Sequence, residues 1–120
     1  MSRVAVFVRD FELGTRIADA ATIHGKEIVF PEPGANSGWE ATEDTEFLIV
    51  DLNEDRYEPL DLIRRIGADY PQVTVVGFLS RVRKRAYDEA KKAGCTWVLP
   101  RSSLVHNLRT LFDKGRPDEI

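Results

Sequence analysis

Two aspartates follow apolar runs that are typical of buried strands. Asp10 comes two residues after the run Val4–Val8, and Asp51 comes directly after the run Phe47–Val50. Because the carboxyl ends of parallel strands lie at one edge of a sheet, we expect the two carboxylates to meet there. A pair of carboxylates can hold a divalent cation, whereas a single one caps a turn or a helix. Both interpretations stay open, because Asp10 is also a good N-cap for the helical pattern that follows it.

Three further polar residues should converge on the same edge. Arg9 precedes Asp10, Ser80 follows the fourth apolar run, and Arg101 follows the fifth. A guanidinium beside a carboxylate satisfies it directly and so competes with a metal ion. If Asp10 and Asp51 face both Arg9 and Arg101, the formal charge of the predicted site is zero. The alternatives are that Arg9 is a solvated strand end and that Ser80 caps the next helix.

The elements that would position these residues alternate along the chain. Five short apolar runs, rich in β-branched residues, lie at 4–8, 27–30, 47–50, 73–76 and 96–99. Apolar residues recur at helical spacing around 13–21, 60–67, 82–93 and 104–111. Continuous apolar strands indicate burial on both faces, as in a parallel sheet between helices. We therefore predict an α/β fold of flavodoxin-like type, a doubly wound five-stranded parallel sheet in the order 2-1-3-4-5.

One segment interrupts this alternation. Residues Pro31–Thr45 read PEPGANSGWEATEDT, with two prolines, two glycines and little apolar periodicity. The helix expected between the second and third strands is therefore absent or reduced to a turn near Trp39–Thr42. A loop this long inside a compact domain is functional or mobile, and we expect Trp39 to pin it to the body. We predict one domain over residues 1–113 and a polar tail over 114–120.

Composition excludes several classes of protein. A net charge of −3 argues against a general nucleic-acid binder. The single cysteine, Cys95, leaves no partner for a disulfide within the chain, and we expect it to be a small buried apolar residue. No apolar run approaches the roughly 20 residues of a membrane span. A cytoplasmic location is the simplest expectation.

The order of these residues resembles the receiver (CheY-like) domain of two-component response regulators, over nearly the whole chain. The stretch Phe47–Asn53 is similar to the family's phospho-acceptor strand. The resemblance implies that Asp51 is the acceptor and that Asn53 offers a backbone carbonyl to Mg²⁺. It also implies that Asp10 is one of the family's paired acidic residues, so that the implied Mg²⁺ ligands are Asp10, Asp51 and Asn53.

The resemblance has clear departures at the site. Ser80 matches the Thr/Ser that binds the phosphoryl group, but Arg101 stands at the position of the family's lysine and Ser102 at that of the following proline. Arg9 stands where the family has its first acidic residue. Val98 occupies the place of the aromatic switch residue. The chain therefore resembles a receiver whose phosphorylation site is degraded.

These departures favour a stand-alone pseudo-receiver that acts through protein–protein binding and is not an enzyme beyond self-phosphorylation. Its expected partner is a histidine kinase or a downstream signalling protein, and homodimerisation is a further expectation. The family's usual contact face would place Arg83, Lys84, Trp97 and the residues around His106 in or near an interface.

Two other functions stay open. The first is a functional single-domain response regulator, phosphorylated on Asp51 with Mg²⁺. The second is a small-molecule binder on the flavodoxin-like fold, using the Pro31–Thr45 loop. We expect neither a nucleic-acid nor a membrane partner.

Overall fold

A five-stranded parallel sheet forms the centre of the molecule. The computed structural model describes residues 2–32 and 39–117. Its strands are β1 (Arg3–Phe7), β2 (Glu27–Val29), β3 (Thr45–Asp51), β4 (Thr74–Leu79) and β5 (Trp97–Pro100). They pair side by side in the order β2-β1-β3-β4-β5. The predicted strand order is therefore confirmed.

Four helices cover the two faces of the sheet. They are α1 (Phe11–Ile23), α2 (Pro59–Asp69), α3 (Lys84–Ala93) and α4 (Arg101–Lys114). A single 3₁₀ turn, Asp55–Tyr57, precedes α2. Apolar residues of α1 and α4 share one core, and those of α2 and α3 share the other. This is the doubly wound arrangement that the alternating pattern predicts.

The side chains of the central strands alternate between these two cores. Val4 and Val6 of β1 belong to the core under α1 and α4, whereas Ala5 and Phe7 belong to the core under α2 and α3. Cys95 is also buried in the second core, and burial raises the pKa of its thiol to about 11. The expectation of a small buried apolar residue at Cys95 is confirmed.

The connection between β2 and β3 contains no helix in residues 30–32 or 39–44. A turn at residues 43–44 leads directly into β3, one residue later than the turn expected near Trp39–Thr42. The Thr45 backbone N–H donates to the Thr42 carbonyl at 3.0 Å and closes this turn. Residues 33–38 of the predicted loop lie outside the described residues.

An aromatic cluster covers the sheet next to this connection. Phe7 packs edge-to-face against Trp39, with ring centroids 5.2 Å apart, and against Tyr57 at 5.3 Å. Trp39 is partly buried and Tyr57 is buried. Edge-to-face pairs add stability beyond the apolar area that they bury. Trp39 thus attaches the loop to the second core, as the sequence predicts.

The ends of the chain add two details. Helix α4 continues to Lys114, one residue beyond the predicted domain boundary, and Pro117 is buried. Residues 118–120 of the predicted tail lie outside the described residues. In the part of the chain that the structure describes, no helix is long and apolar enough to cross a membrane.

We expect Trp39→Ala to lower the free energy of unfolding by about 1–3 kcal/mol, because it removes a partly buried ring and one edge-to-face contact. Trp39→Phe should retain most of that stability. The matched control is Phe11→Ala, since Phe11 is 87% exposed and its removal should change stability by less than about 0.5 kcal/mol. Urea unfolding followed by circular dichroism measures all three variants. An equal loss for Trp39→Ala and Phe11→Ala would contradict the anchoring role.

Candidate functional site

Asp10 lies between the end of β1 and the start of α1. One carboxylate oxygen, Oδ1, accepts a hydrogen bond from the Leu13 backbone N–H at 3.0 Å and caps the helix. The other, Oδ2, accepts from Arg101 Nη2 at 2.5 Å. The Leu13 bond first, and then the Arg101 guanidinium, hold the pKa of Asp10 below its usual value. The helix-cap interpretation of Asp10 is confirmed, and the other oxygen of the same carboxylate pairs with Arg101.

Arg101 reaches Asp10 from the opposite end of the sequence. It is the first residue of α4 and directly follows β5. The two paired side chains are about equally exposed, at 40% for Arg101 and 41% for Asp10. A pair this exposed contributes little to stability. The ion pair acts locally, because it places the positive charge of Arg101 beside the Asp10 carboxylate, which would otherwise be open to a cation.

Asp51 ends β3 and is partly buried. Its Oδ1 accepts from the Asn53 backbone N–H at 2.9 Å. Burial is the largest influence and raises the pKa of Asp51, while the Asn53 bond lowers it. The negative charge of Glu54 raises the pKa further, and Arg101 acts in the opposite direction. In the described residues Asp51 therefore sits close to another carboxylate and forms no ion pair of its own.

Asn53 and Ser80 join two neighbouring loops of the site. Asn53 Oδ1 accepts from the Ser80 backbone N–H at 2.9 Å and from Ser80 Oγ at 3.3 Å. Ser80 is the first residue after β4, so the fourth strand does end at the predicted edge. The resemblance assigned a role to the Asn53 backbone carbonyl. The structure shows that its side chain makes the contact with Ser80.

The loop that follows Asp51 is attached to β4 through Leu52. The Leu52 N–H donates to the Phe78 carbonyl at 3.0 Å, and the Leu52 side chain lies over Gly77. A Cβ on Gly77 would stand 2.8 Å from Leu52 Cδ1 and 2.9 Å from Cys95 Sγ. Only glycine leaves room for both, which is why the centre of β4 lacks a side chain at this position.

Arg9 does not join the site in the way that the sequence suggested. It is exposed, it forms no ion pair with a described residue, and its positive charge acts on Tyr57. Arg9 is absent from the groups that shift the pKa of Asp10 or Asp51. If Glu54 is counted in place of Arg9, and the Arg56 that pairs with Glu54 is left out, three carboxylates stand against Arg101, a formal charge of −2. The charge-neutral count made from the sequence leaves out Glu54 and stays a prediction.

Glu54 is the site residue that the sequence argument missed. It lies three positions after Asp51 and raises the pKa of that carboxyl. Its own side chain is 26% exposed and contacts Arg56 at 3.5 Å. The signal was present in the sequence, because an acidic residue so close to the end of β3 must lie near the same edge.

The donor set does not fit a Mg²⁺ ion. Mg²⁺ requires near-octahedral oxygen ligands and is held through carboxylates. Both oxygens of Asp10 already accept hydrogen bonds, one of them from a guanidinium. Among the described residues, no group of three or more His, Cys, Asp or Glu side chains is arranged to hold a metal. The role of Asp10, Asp51 and Asn53 as Mg²⁺ ligands therefore finds no support in this geometry.

Solved structures of similar shape identify the fold. A CheY-like receiver domain protein from Methanospirillum hungatei JF-1 aligns with a TM-score of 0.74 and 10% identity, over 95% of each chain. A response regulator from Burkholderia pseudomallei with a phosphorylated aspartic acid and calcium aligns with a TM-score of 0.67 and 17% identity. The alignment covers 96% of this chain and 71% of that one. The Mn²⁺-bound form of response regulator Rcp1 aligns with a TM-score of 0.74 and 8% identity, over 100% of this chain and 97% of that one.

No family model matches the chain, and no curated protein matches it. The structural matches nevertheless agree on one class. The chain has the fold of a response-regulator receiver domain, with Asp51 at the end of the central strand and Asp10 beside it.

The two aspartates should respond to pH in opposite directions. Because the pKa of Asp51 is raised in the fold, its ionised form lowers stability above its usual pKa of 3.8. Asp51→Asn should therefore increase the free energy of unfolding at about pH 7 and change it little at about pH 3. Asp10→Asn should decrease stability at neutral pH, because it removes a carboxylate that the fold stabilises, and this difference should narrow in acid.

Urea unfolding midpoints at the two pH values, measured with a chelator present, test whether Asp51→Asn raises stability and Asp10→Asn lowers it. Asparagine keeps an oxygen that can accept from the Asn53 and Leu13 N–H groups, so each variant retains its backbone bond. Asp10→Asn removes the acceptor for Arg101 together with the charge. A loss of stability for Asp51→Asn at neutral pH would show that the Asp51 carboxylate has a favourable partner.

Proposed function

We propose that this chain is a receiver-like signalling module that acts by binding a protein partner and has lost metal-dependent phosphorylation. The proposal assigns it no enzymatic activity and places it in the cytoplasm. Asp51 occupies the acceptor position of the receiver fold, but the residues around it serve a structural role. The partner is a histidine kinase or a downstream signalling protein.

The observation that carries this proposal is the Asp10–Arg101 ion pair. Transfer of a phosphoryl group depends on positioning and on neutralisation of developing negative charge by a metal ion. In this chain the Asp10 carboxylate is shared between the Leu13 N–H and the Arg101 guanidinium. A guanidinium cannot lose its proton and holds a carboxylate in a fixed geometry. A divalent cation would have to displace it.

The neighbours of Asp51 support the same conclusion. The formal charge of −2 would suit a cation, but the cation would need Asp10 as a ligand. Without Asp10 as a ligand, the negative charge of Glu54 still repels the Asp51 carboxylate and, together with burial, raises its pKa. The Ser80 hydroxyl already donates to Asn53, so it too is engaged within the protein.

The residues of the expected contact face are candidates for the binding role. Three of these residues are exposed, namely Arg83 and Lys84 at the start of α3 and His106 on α4. Trp97 of β5 is partly buried. The Trp97 indole Nε1 is buried without a hydrogen-bond partner in the described residues. Val98, at the position of the switch residue, is buried and offers no aromatic ring to this surface. A partner on this face, or a second copy of the chain, would contact the exposed side chains of Arg83, Lys84 and His106.

A functional receiver phosphorylated on Asp51 is the second candidate. Two of the similar structures favour it, since one holds a phosphorylated aspartic acid with calcium and another holds Mn²⁺. The net negative site of this chain favours it as well. In this case Arg101 would move from Asp10 when the cation binds.

We expect the wild type to gain no phosphoryl group when it is incubated with a small phosphodonor and Mg²⁺. The double variant Arg9→Asp/Arg101→Lys should gain one, because a flexible lysine does not hold the Asp10 carboxylate in the fixed geometry of a guanidinium, and Arg9→Asp adds the acidic residue of the family pattern next to Asp10 in the sequence. Intact-mass analysis measures the gain. Arg101→Lys alone is the intermediate variant, which separates the ion pair from the missing acid.

Asp51→Asn, added to the double variant, controls for the site of modification and should abolish the gain. Circular dichroism must show that every variant is folded. Phosphorylation of the wild type that Asp51→Asn abolishes would overturn the proposed loss and establish the second candidate.

A further inference from the structure

The Asn53 side chain ties two loops together across the candidate site. Its carboxamide oxygen accepts both the Ser80 N–H at 2.9 Å and the Ser80 hydroxyl at 3.3 Å. The two residues are 27 positions apart and belong to the loops after β3 and β4. Because the Ser80 backbone N–H is a donor only, the atom that it contacts on Asn53 must be the oxygen.

The Asn53 end of this contact is rigid. The Asn53 backbone N–H donates to Asp51 Oδ1, and the side chain of the preceding residue, Leu52, packs over Gly77. Leu52 also donates its N–H to the Phe78 carbonyl on β4. Asn53 therefore presents its oxygen from a segment that is fixed at both its backbone and its neighbouring side chain.

The Ser80 end is held far less firmly. Leu79 is buried, but residues 80–83 are exposed and form no regular structure before α3 begins at Lys84. Arg83, the N-cap of α3, makes no side-chain capping bond. Among the described residues, the two bonds to Asn53 are the hydrogen bonds that join residues 80–83 to the Asp51 loop.

We propose that Asn53 is a positioning residue whose side-chain oxygen fixes the 80–83 loop relative to the Asp51 loop. The loop carries Arg81, Val82 and Arg83, all exposed, so Asn53 sets how these side chains are presented to a partner. A ligand that accepts a hydrogen bond from the Ser80 hydroxyl removes one of the two bonds to Asn53 and so weakens the attachment of the loop. Because the coupling is reciprocal, a partner that holds the loop in another position weakens the hydrogen bonds between Ser80 and Asn53.

This role goes beyond the proposed function and is independent of it. It concerns the resting protein, so it stands whether or not Asp51 accepts a phosphoryl group. The test accordingly uses the unmodified chain with no phosphodonor and no metal.

Amide hydrogen exchange of the Ser80 N–H, measured by NMR, reports the contact directly. We expect Asn53→Ala to accelerate this exchange roughly tenfold, the effect of losing one such hydrogen bond. Asn53→Asp keeps an acceptor oxygen at the same place and should retain the protection. Asn53→Leu, close to asparagine in size, is the second apolar variant if the alanine variant fails to fold.

Thr96→Val is the matched control. Thr96 Oγ1 accepts from the Val75 N–H at 3.0 Å, which is a part-buried bond of the same type near the other end of β4. Its removal should leave the exchange of the Ser80 N–H unchanged. Trypsin gives a second measurement, because Asn53→Ala should speed cleavage after Arg81 and Arg83 but not after Arg64 within α2.

Three results would overturn the proposal. One is an unchanged Ser80 exchange rate in both apolar variants of Asn53. Another is acceleration in Asn53→Asp as large as in Asn53→Ala, which would show that the acceptor oxygen is not responsible. The last is equal acceleration in Thr96→Val, which would indicate a general loss of stability.

Discussion

Burial of both faces of the central strands is the constraint on which the candidate site depends. Strands β1, β3 and β4 lie between two helical layers, and Val4, Ile49 and Val76 are fully buried. A charge at such a position would lose its hydration without gaining a partner, so polar residues are confined to the strand ends. Because all five strands are parallel, those ends share one edge. Topology therefore brings Asp10 and Asp51 together.

The parts of this arrangement that follow from local sequence could be predicted. A continuous apolar run marks a buried strand, and the polar residue that ends it marks the edge, which is how Asp10, Asp51 and Arg101 were placed. The strand order followed from the regular alternation of strands and helices together with the handedness of their connections. The approach of Arg101 to Asp10 required nothing more than these two rules.

The parts that depend on contacts between distant segments could not be predicted. Arg9 is the neighbour of Asp10, but no local pattern shows that its charge acts on Tyr57 instead of on the carboxylates. The bond from Ser80 to Asn53 has no periodic signal, because it joins two loops. The aromatic cluster combines side chains from three segments, and no local pattern indicates that Phe7 is its centre. That cluster covers the second core beside a connection whose described residues contain no helix.

The Asp10–Arg101 contact also bears on how the chain reaches its fold. It joins residues 91 positions apart, and around it α4 supplies Leu104 and Leu108 to the same core as Leu13 of α1. Contacts of such long sequence separation form late, because the loop entropy is lost before the contact is gained. During synthesis, α1 can pack on the strands of the sheet before α4 is made, but the core that they share lacks Leu104 and Leu108 until then. That core is therefore completed only when nearly the whole described chain is available.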